Sequence, residues 1–288
     1  MASILVTGTS KGIGMATALE LARAGHTVHA TMRNPGGAPE LEHLAKQEGL
    51  RIAVSAMDVD SDASVADGIA AIEKANGPLD VLVNNAGIEK RGTTEELPLA
   101  EVRAVMETNF FGALRCIQAV MPGMRTRQRG CIINVTSVAG RFATSPLGAY
   151  AASKHALEAL SEALAQEAKM FNIRVALVEP GIIATAMAER LRETPGSSSY
   201  PHDRRMAGLY AAALKNPASP EPVAQKIREI VESDSWQLRH PVGSDAAPFL
   251  QWRGAMTDEQ WVDWGSATDA AWYESVQRDF GLDARLPS

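Results

Sequence analysis

Thr7-Gly8-Thr9-Ser10-Lys11-Gly12-Ile13-Gly14 stands where the first apolar run of the chain, residues 4–7, gives way to a helical pattern. Its glycines, in GxxxGxG spacing, allow a sharp turn and a close approach of the backbone to a ligand. A helix that begins here presents unpaired N–H groups and a partial positive charge, and both favour a phosphate group. The stretch predicts a strand, a turn and a helix that bind a pyrophosphate; a tight turn without a ligand is the alternative.

Short β-branched runs alternate with helical patterns along most of the chain, which is the order of βαβ units in a parallel sheet. The predicted strands cover residues 4–7, 27–31, 51–56, 79–83, 131–135, 174–178 and 236–240. The predicted helices cover residues 13–23, 41–48, 64–74, 99–124, 150–170 and 222–232. Because right-handed crossovers place helices on both faces, we expect a single α/β domain with a doubly wound, seven-stranded parallel sheet.

Two segments interrupt this alternation. Residues 181–220 contain a Ser-, Gly- and Pro-rich run and a short apolar patch, which predicts a mobile substrate-binding loop with one or two helices. Residues 244–288 hold four of the five tryptophans at a spacing compatible with an amphipathic helix. We expect residues 1–243 to form the main domain and this C-terminal extension to pack on it; a surface for a partner or for self-association is the alternative.

The composition of the 288-residue chain excludes several kinds of partner. A net charge of −6, with basic residues scattered, argues against nucleic acid and against an anionic membrane surface. No apolar run is long enough to span a membrane and no leader pattern is visible, so a cytoplasmic location is expected. Cys116 and Cys131 lie singly in apolar stretches without metal-ligand spacing. They are interpreted as reduced core residues, with a disulfide as the alternative, and no metal site is expected.

The end of the second predicted strand bears on the nucleotide that the glycine turn would bind. An acidic residue there would bind a ribose hydroxyl and repel a 2′-phosphate, but the strand ends in Thr31, with Arg33 nearby. Lys11 adds a second cation, so the pattern favours NADP(H), with NAD(H) as the alternative cofactor. Two solvated surface cations would give the same sequence. Asp58, after the third strand, suits an adenine amino group because an ionised carboxylate only accepts hydrogen bonds; a helix cap is the alternative.

Ser137 and the stretch Tyr150-Ala151-Ala152-Ser153-Lys154 form the strongest chemical pattern. Tyr150 and Lys154 are four residues apart on a predicted helix and therefore project from one face. An ammonium beside a phenol favours the phenolate, so the pKa of Tyr150 is expected to fall from about 10 toward the range of a proton-transfer group. A core tyrosine and a lysine that reaches to water would give the same short pattern.

Several such motifs occur in one order between residues 4 and 243. They are the glycine turn, Asn84-Asn85-Ala86-Gly87, Asn109, Ser137, Tyr150, Lys154 and Pro180-Gly181-Ile182-Ile183-Ala184-Thr185. Together they resemble the short-chain dehydrogenase/reductase family in its non-extended branch. The resemblance implies a Rossmann fold and an NADP(H)-dependent oxidoreductase that interconverts a small-molecule carbonyl and a secondary alcohol. A cofactor-sensing or scaffold protein without turnover is the alternative class, which the intact Ser137, Tyr150 and Lys154 disfavour.

The resemblance also implies a role for each matching residue. Ser137 would hydrogen-bond the substrate oxygen, Tyr150 would transfer the proton, and Lys154 would bind the nicotinamide ribose. Asn109 would hold a water in a proton relay. The residues expected to bind the cofactor are Gly8, Ser10, Lys11, Gly12, Ile13, Gly14, Arg33, Asp58, Val59, Asn85, Ala86, Gly87, Tyr150, Lys154, Pro180, Gly181, Ile183 and Thr185.

Residues outside these motifs predict the substrate class and the assembly. The loop carries apolar side chains that suit a bulky ketone or alcohol, and these are Met187, Leu191, Met206, Leu209 and Tyr210. Its four arginines, Arg190, Arg192, Arg204 and Arg205, are expected to face water, although one turned inward would favour a carboxylate. The predicted helices 99–124 and 150–170 are apolar on more than one face, so a homo-oligomer is expected, with a dimer favoured.

Overall fold

The computed structural model describes residues 1–193 and 198–286. Within them the strands are β1 (Ser3–Thr7), β2 (Thr27–Met32), β3 (Ile52–Ala56), β4 (Val81–Asn84), β5 (Gly130–Val135), β6 (Ile173–Pro180) and β7 (Arg239–Val242). They form one parallel sheet in the order β3-β2-β1-β4-β5-β6-β7. The predicted seven-stranded, doubly wound Rossmann fold is confirmed.

Helices lie on both faces of this sheet. The main-domain helices are α1 (Gly12–Arg23), α2 (Glu40–Glu48), α3 (Asp62–Asn76), α4 (Leu99–Met106), α5 (Gly112–Arg127), α6 (Gly148–Lys169), α7 (Ala186–Leu191), α8 (His202–Ala213) and α9 (Glu221–Glu232). The C-terminal helices are α10 (Ala246–Gly254), α11 (Asp258–Ser266) and α12 (Asp269–Phe280). In the described part of the chain, none of them combines the length and the apolar character that a membrane crossing requires.

The side chains of β1 alternate between the two faces of the sheet, and both faces are covered by helices. Ile4 and Val6 belong to the apolar cluster that contains residues of α1 and α9, whereas Leu5 belongs to the cluster with residues of α3, α5 and α6. Successive side chains of a strand point to opposite faces, so a continuous apolar run is buried on both sides. The cysteines are free and buried in these clusters, as expected, and burial raises the pKa of Cys131 to about 11.

Two predicted elements differ from the structure. Strand β7 begins at Arg239 and not at residue 236, because Ser233 and Ser235 accept hydrogen bonds from backbone N–H groups two residues on and so hold that segment in turns. The helix predicted at 99–124 is divided by a π-helical segment, Glu107–Phe111, between α4 and α5. Such segments are frequent at functional sites, and this one contains Asn109.

The predicted loop contains the two helices α7 and α8. Part of its Ser-rich run, residues 194–197, lies outside the described residues. The tail forms three helices where the sequence predicted a single amphipathic one. It contacts the main body, since the Trp261 indole N–H donates to the Ala143 carbonyl over 3.1 Å. The domain boundary at residue 243 stays a prediction.

The apolar residues on which the oligomer prediction rests are largely buried in the core of a single chain. Ile117 and Val120 of α5 and Leu164 of α6 are buried in the cluster on one face of the sheet. The core of a single chain therefore accounts for much of their apolar character. The homo-oligomer, with a dimer favoured, and the cytoplasmic location stay predictions.

Arg205 contradicts the expectation that the loop arginines face water. It is 3% exposed, and its guanidinium donates to Asp269 over 2.8 Å and to the carbonyls of Gly265 and Ala267 over 3.1 and 2.7 Å. Arg204, which directly precedes Arg205, is exposed as expected. Buried Arg205 therefore joins helix α8 to the α11–α12 connection, and His202 of α8 adds a contact with the Gly265 carbonyl.

Replacement of Arg205 is expected to destabilise the protein. Arg205→Met leaves the Ala267 carbonyl without its partner and removes one of the two partners of the Gly265 carbonyl, which also lies 3.1 Å from His202 Nε2. This loss should lower the free energy of unfolding by about 2–4 kcal/mol. Arg204→Met, the matched control, should change it by less than about 0.5 kcal/mol. Urea unfolding followed by tryptophan fluorescence measures both variants, and equal small changes would show that the Arg205 contacts do not hold the tail.

Candidate active site

A cavity of about 470 Å³ opens where the strand order reverses, at the carboxyl ends of the strands. Its lining includes residues that directly follow β1, β2, β3, β4, β5 and β6. Every site residue predicted from the sequence lines this cavity except Asn109. The fold thus brings together side chains that are as much as 177 positions apart, from Gly8 to Thr185.

The glycine turn fits a dinucleotide pyrophosphate. Gly8 and Gly12 have φ angles of +70° and +60°, and a Cβ atom on Gly8 would lie 2.6 Å from the Cα atom of Ala86. Lys11, the N-cap of α1, makes no side-chain capping bond, and no acidic residue stands in the first turn of the helix. The N–H groups at this helix end are therefore left for an anionic ligand.

Asn85 holds the turn in place. Its side-chain amide donates to the carbonyls of Thr7 and Gly8 over 2.9 and 3.1 Å, while the Thr7 hydroxyl accepts from the N–H groups of Asn85 and Ala86 over 3.0 Å. These bonds join the ends of β1 and β4, where the strand order reverses. Asn85, which is predicted to bind the cofactor, thus also holds the backbone of the glycine turn that would contact the cofactor.

The residues after β2 differ in part from the expectation. Thr31 is buried and its hydroxyl donates to the Val6 carbonyl, so it does not line the cavity. Arg33 and Lys11 do line it, are exposed, and form no ion pair with any residue that the structure describes. Two unpaired cations therefore stand at this end of the cavity.

Asp58 and Val59 line the cavity beside these cations. The alternative interpretation of Asp58 as a helix cap is wrong, because the Ser61 side chain caps α3 by accepting from Ser64 N–H. Asp60 was missed by sequence reasoning. It also lines the cavity, accepts a hydrogen bond from the Thr108 hydroxyl over 3.0 Å, and has its pKa raised by burial.

Ser137, Tyr150 and Lys154 all line the cavity and lie close to one another. Lys154 is buried, and its ammonium donates to the Val135 carbonyl over 2.9 Å and lies 5.7 Å from the centre of the Tyr150 ring. The Ser137 hydroxyl accepts from Ala139 N–H over 3.1 Å. Strand β5 and helix α6 therefore hold a hydroxyl, a phenol and an ammonium around one space.

The pKa of Tyr150 moves against the expectation. Burial raises it to about 12, although the hydrogen bond with Ser137 acts in the opposite direction. Burial also lowers the pKa of Lys154 to about 8, while Glu158 opposes that shift. The prediction of a depressed tyrosine pKa is therefore wrong, because desolvation outweighs the attraction of an ammonium at this distance. At neutral pH the phenol carries its proton and the lysine is charged.

Asn109 is 1% exposed and lies in the π-helical segment, behind the cavity wall. Its side chain accepts from Ile88 N–H over 2.8 Å and donates to the Ile88 carbonyl and the Ser153 hydroxyl, each over 2.9 Å. Its amide thus ties the loop after β4 to α6. The water-holding role implied by the resemblance stays a prediction.

The segment from Pro180 to Thr185 is held by the tail. The Ile182 N–H donates to the Asp245 carboxylate over 2.7 Å, and a Cβ atom on Gly181 would overlap this carboxylate. Burial raises the pKa of Asp245. Asp245 stands 65 residues after Pro180, so no local pattern in the sequence could have shown this contact.

One wall of the cavity is apolar and comes from two parts of the chain. The five predicted loop residues, Met187, Leu191, Met206, Leu209 and Tyr210, all line it. They are joined by tail residues that sequence reasoning did not place in the site, Phe249, Trp252, Trp264, Val276 and Phe280. Trp252 packs edge-to-face on Trp264 and Phe280, with ring centres 5.1 and 4.8 Å apart. The tryptophan-rich composition of the tail was the available signal.

Comparisons with known proteins agree with this arrangement. The family model described as short chain dehydrogenase matches residues 2–196. Retinol dehydrogenase 8 from Bos taurus is 37% identical over 262 residues, which cover 86% of this chain and 83% of the relative. A 3-ketodihydrosphingosine reductase from Bacteroides thetaiotaomicron is 35% identical over 244 residues, which cover 83% of this chain and 87% of the relative.

A solved structure shows the same similarity. A short-chain dehydrogenase from Streptomyces avermitilis has a TM-score of 0.77 and 32% sequence identity, with 93% of this chain and 98% of that chain covered. The chain therefore belongs to the short-chain dehydrogenase/reductase family. It is an NAD(P)-dependent oxidoreductase that acts on CH–OH groups.

Proposed function

We propose that this oxidoreductase uses NADP(H) in preference to NAD(H) and interconverts a hydrophobic ketone with its secondary alcohol. The observation that carries the substrate class is the apolar wall, which loop and tail build together in the cavity that Tyr150 and Ser137 also line. Arg33 and Lys11 carry the cofactor preference, because they are unpaired among the described residues. Residues 1–243 form the catalytic domain in this proposal, and residues 244–288 form an extension that completes the site.

The proposed chemistry follows from the protonation states. A bound nicotinamide supplies the hydride. Tyr150, protonated at neutral pH, donates its proton to the substrate oxygen as negative charge develops there, and Ser137 stabilises the same oxygen by a hydrogen bond. Lys154 is charged at neutral pH and favours anionic character at the site. Asn109 keeps the backbone beside Gly87 in register with α6.

Some of the relatives support a large apolar substrate. Two of them are named for retinol and for 3-ketodihydrosphingosine. In this chain, Trp252, Trp264 and Phe280 provide flat aromatic surfaces in the cavity wall, which suit an extended apolar body.

A specificity measurement tests this proposal. With NADPH, kcat/KM for acetophenone is expected to exceed that for pyruvate by at least about tenfold, since the apolar wall can bury an aryl group, which pyruvate lacks. Trp264→Ala should lower the value for acetophenone, whereas Trp236→Ala, a half-exposed tryptophan outside the cavity, should not. A higher kcat/KM for pyruvate would contradict the proposed substrate class.

A further inference from the structure

Glu89 and Arg190 are charged residues in the otherwise apolar substrate end of the cavity. Glu89 is 8% exposed and follows β4 closely, while Arg190 belongs to α7. Arg190 is exposed, as expected of the loop arginines, with 49% of its side chain accessible, but it also lines the cavity and contacts Glu89. A buried carboxylate needs hydrogen-bond partners, so its surroundings decide what it can bind.

The contact between the two side chains leaves hydrogen-bonding capacity unused. It consists of one long bond, 3.3 Å from Arg190 Nε to Glu89 Oε1, where a bidentate pair would have two short ones. In the part of the chain that the structure describes, Glu89 Oε2 accepts no hydrogen bond and is not sealed from the cavity. The terminal nitrogens of Arg190 likewise donate to no described residue. The pair therefore offers an acceptor and donors side by side.

The pair lies close to the reaction centre. Glu89 stands two residues after Gly87, where an added Cβ atom would be 3.7 Å from the Lys154 ammonium. Asn109 clamps the intervening Ile88 at both its N–H and its carbonyl. Glu89 is also among the groups that raise the pKa of Tyr150. A substrate group that reaches Glu89 is thus near the carbon that reacts.

On the basis of the proposed function, we propose that Glu89 and Arg190 recognise a hydroxyl group beside the reacting carbonyl, so that the substrate is an apolar hydroxy ketone or the corresponding diol. A hydroxyl donates to Glu89 Oε2 and accepts from Arg190, and it needs no charge compensation. An ammonium group would meet Arg190 and a carboxylate would meet Glu89, so each is opposed by one member of the pair.

Four phenyl ketones that differ only beside the carbonyl test this assignment. They are acetophenone, 2-hydroxyacetophenone, 2-aminoacetophenone and phenylglyoxylate, which carry a methyl, a hydroxymethyl, an ammonium-bearing and a carboxylate group. We expect the wild type to have about tenfold higher kcat/KM for 2-hydroxyacetophenone than for acetophenone, with both charged analogues lower. Glu89→Leu should remove the preference for the hydroxyl, so that the ratio of kcat/KM for 2-hydroxyacetophenone to that for acetophenone falls from about tenfold to about one. Glu167→Leu, an exposed control on α6 outside the cavity lining, should keep this preference.

Binding measured without turnover separates this inference from the proposed function. Trp252 and Trp264 line the cavity, so tryptophan fluorescence reports the dissociation constant of each ketone. Tighter binding of 2-hydroxyacetophenone in the wild type, lost in Glu89→Leu, supports the inference even where turnover is slow. Equal binding of the two neutral ketones, stronger binding of a charged analogue, or an equal loss for both neutral ketones in Glu89→Leu would overturn it. Absence of any turnover with either cofactor, by contrast, would count against the proposed function.

Discussion

Tyr150→Phe is expected to lower kcat for carbonyl reduction by roughly two to four orders of magnitude, the range for loss of a general acid. The substitution removes the hydroxyl that carries the proton and keeps the ring that packs beside Lys154. Because burial raises the tyrosine pKa to about 12, the phenol is protonated at neutral pH, and its replacement removes the form that donates.

The controls for this variant separate chemistry from folding. Tyr273→Phe removes a tyrosine hydroxyl from α12 outside the cavity lining and should leave kcat within about twofold. Cofactor binding, followed by tryptophan fluorescence, should survive in Tyr150→Phe because the glycine turn is untouched. Near-normal turnover of that variant would exclude Tyr150 as the proton donor.

Arg33→Ala is expected to reduce kcat/KM for NADPH by about 10- to 100-fold, with little change for NADH. A charge-assisted hydrogen bond to a 2′-phosphate contributes about 1.5–3 kcal/mol, and Arg33 has no ion-pair partner in the described residues that would compete for it. Steady-state kinetics with both cofactors at one ketone concentration measures the ratio.

Arg103→Ala, an exposed arginine on α4 outside the cavity, serves as the matched control and should leave both cofactors unaffected. Added salt should weaken the NADPH preference of the wild type, because Lys11 and Arg33 are exposed and their charges are screened. A wild type that is faster with NADH at equal low concentration would disprove the NADP(H) assignment.

The residues at the end of β2 show what the sequence of one strand cannot determine, which is the side to which each side chain points. The sequence predicted that Thr31 ends β2, at the position that selects between NAD(H) and NADP(H). In the structure the strand continues to Met32, and the Thr31 hydroxyl donates to the Val6 carbonyl. A shift of one residue moves a side chain to the other face of a sheet, and register depends on the neighbouring strands. Arg33 was correctly placed at the cavity because it follows the strand in either case.

The pKa of Tyr150 likewise depends on tertiary structure that residue spacing does not determine. Four-residue spacing on a helix determines that Tyr150 and Lys154 share a face, and the structure has them 5.7 Å apart. Spacing carries no information on desolvation, which depends on how much of the loop and tail covers the phenol. The direction of the pKa shift was therefore predicted incorrectly while the pair itself was predicted correctly.

The sequence alone determined the alternation of strands and helices, the glycine turn and the set of residues that meet at the carboxyl edge of the sheet. These features follow from local periodicity, from φ angles that glycine permits and from the geometry of parallel sheets. Only the tertiary structure decided that the tail forms part of the cavity wall, that Arg205 is buried against Asp269, and that Glu89 meets Arg190. Each of these contacts joins segments more than 60 residues apart, and their formation depends on side-chain packing across the whole fold, which local pattern does not encode.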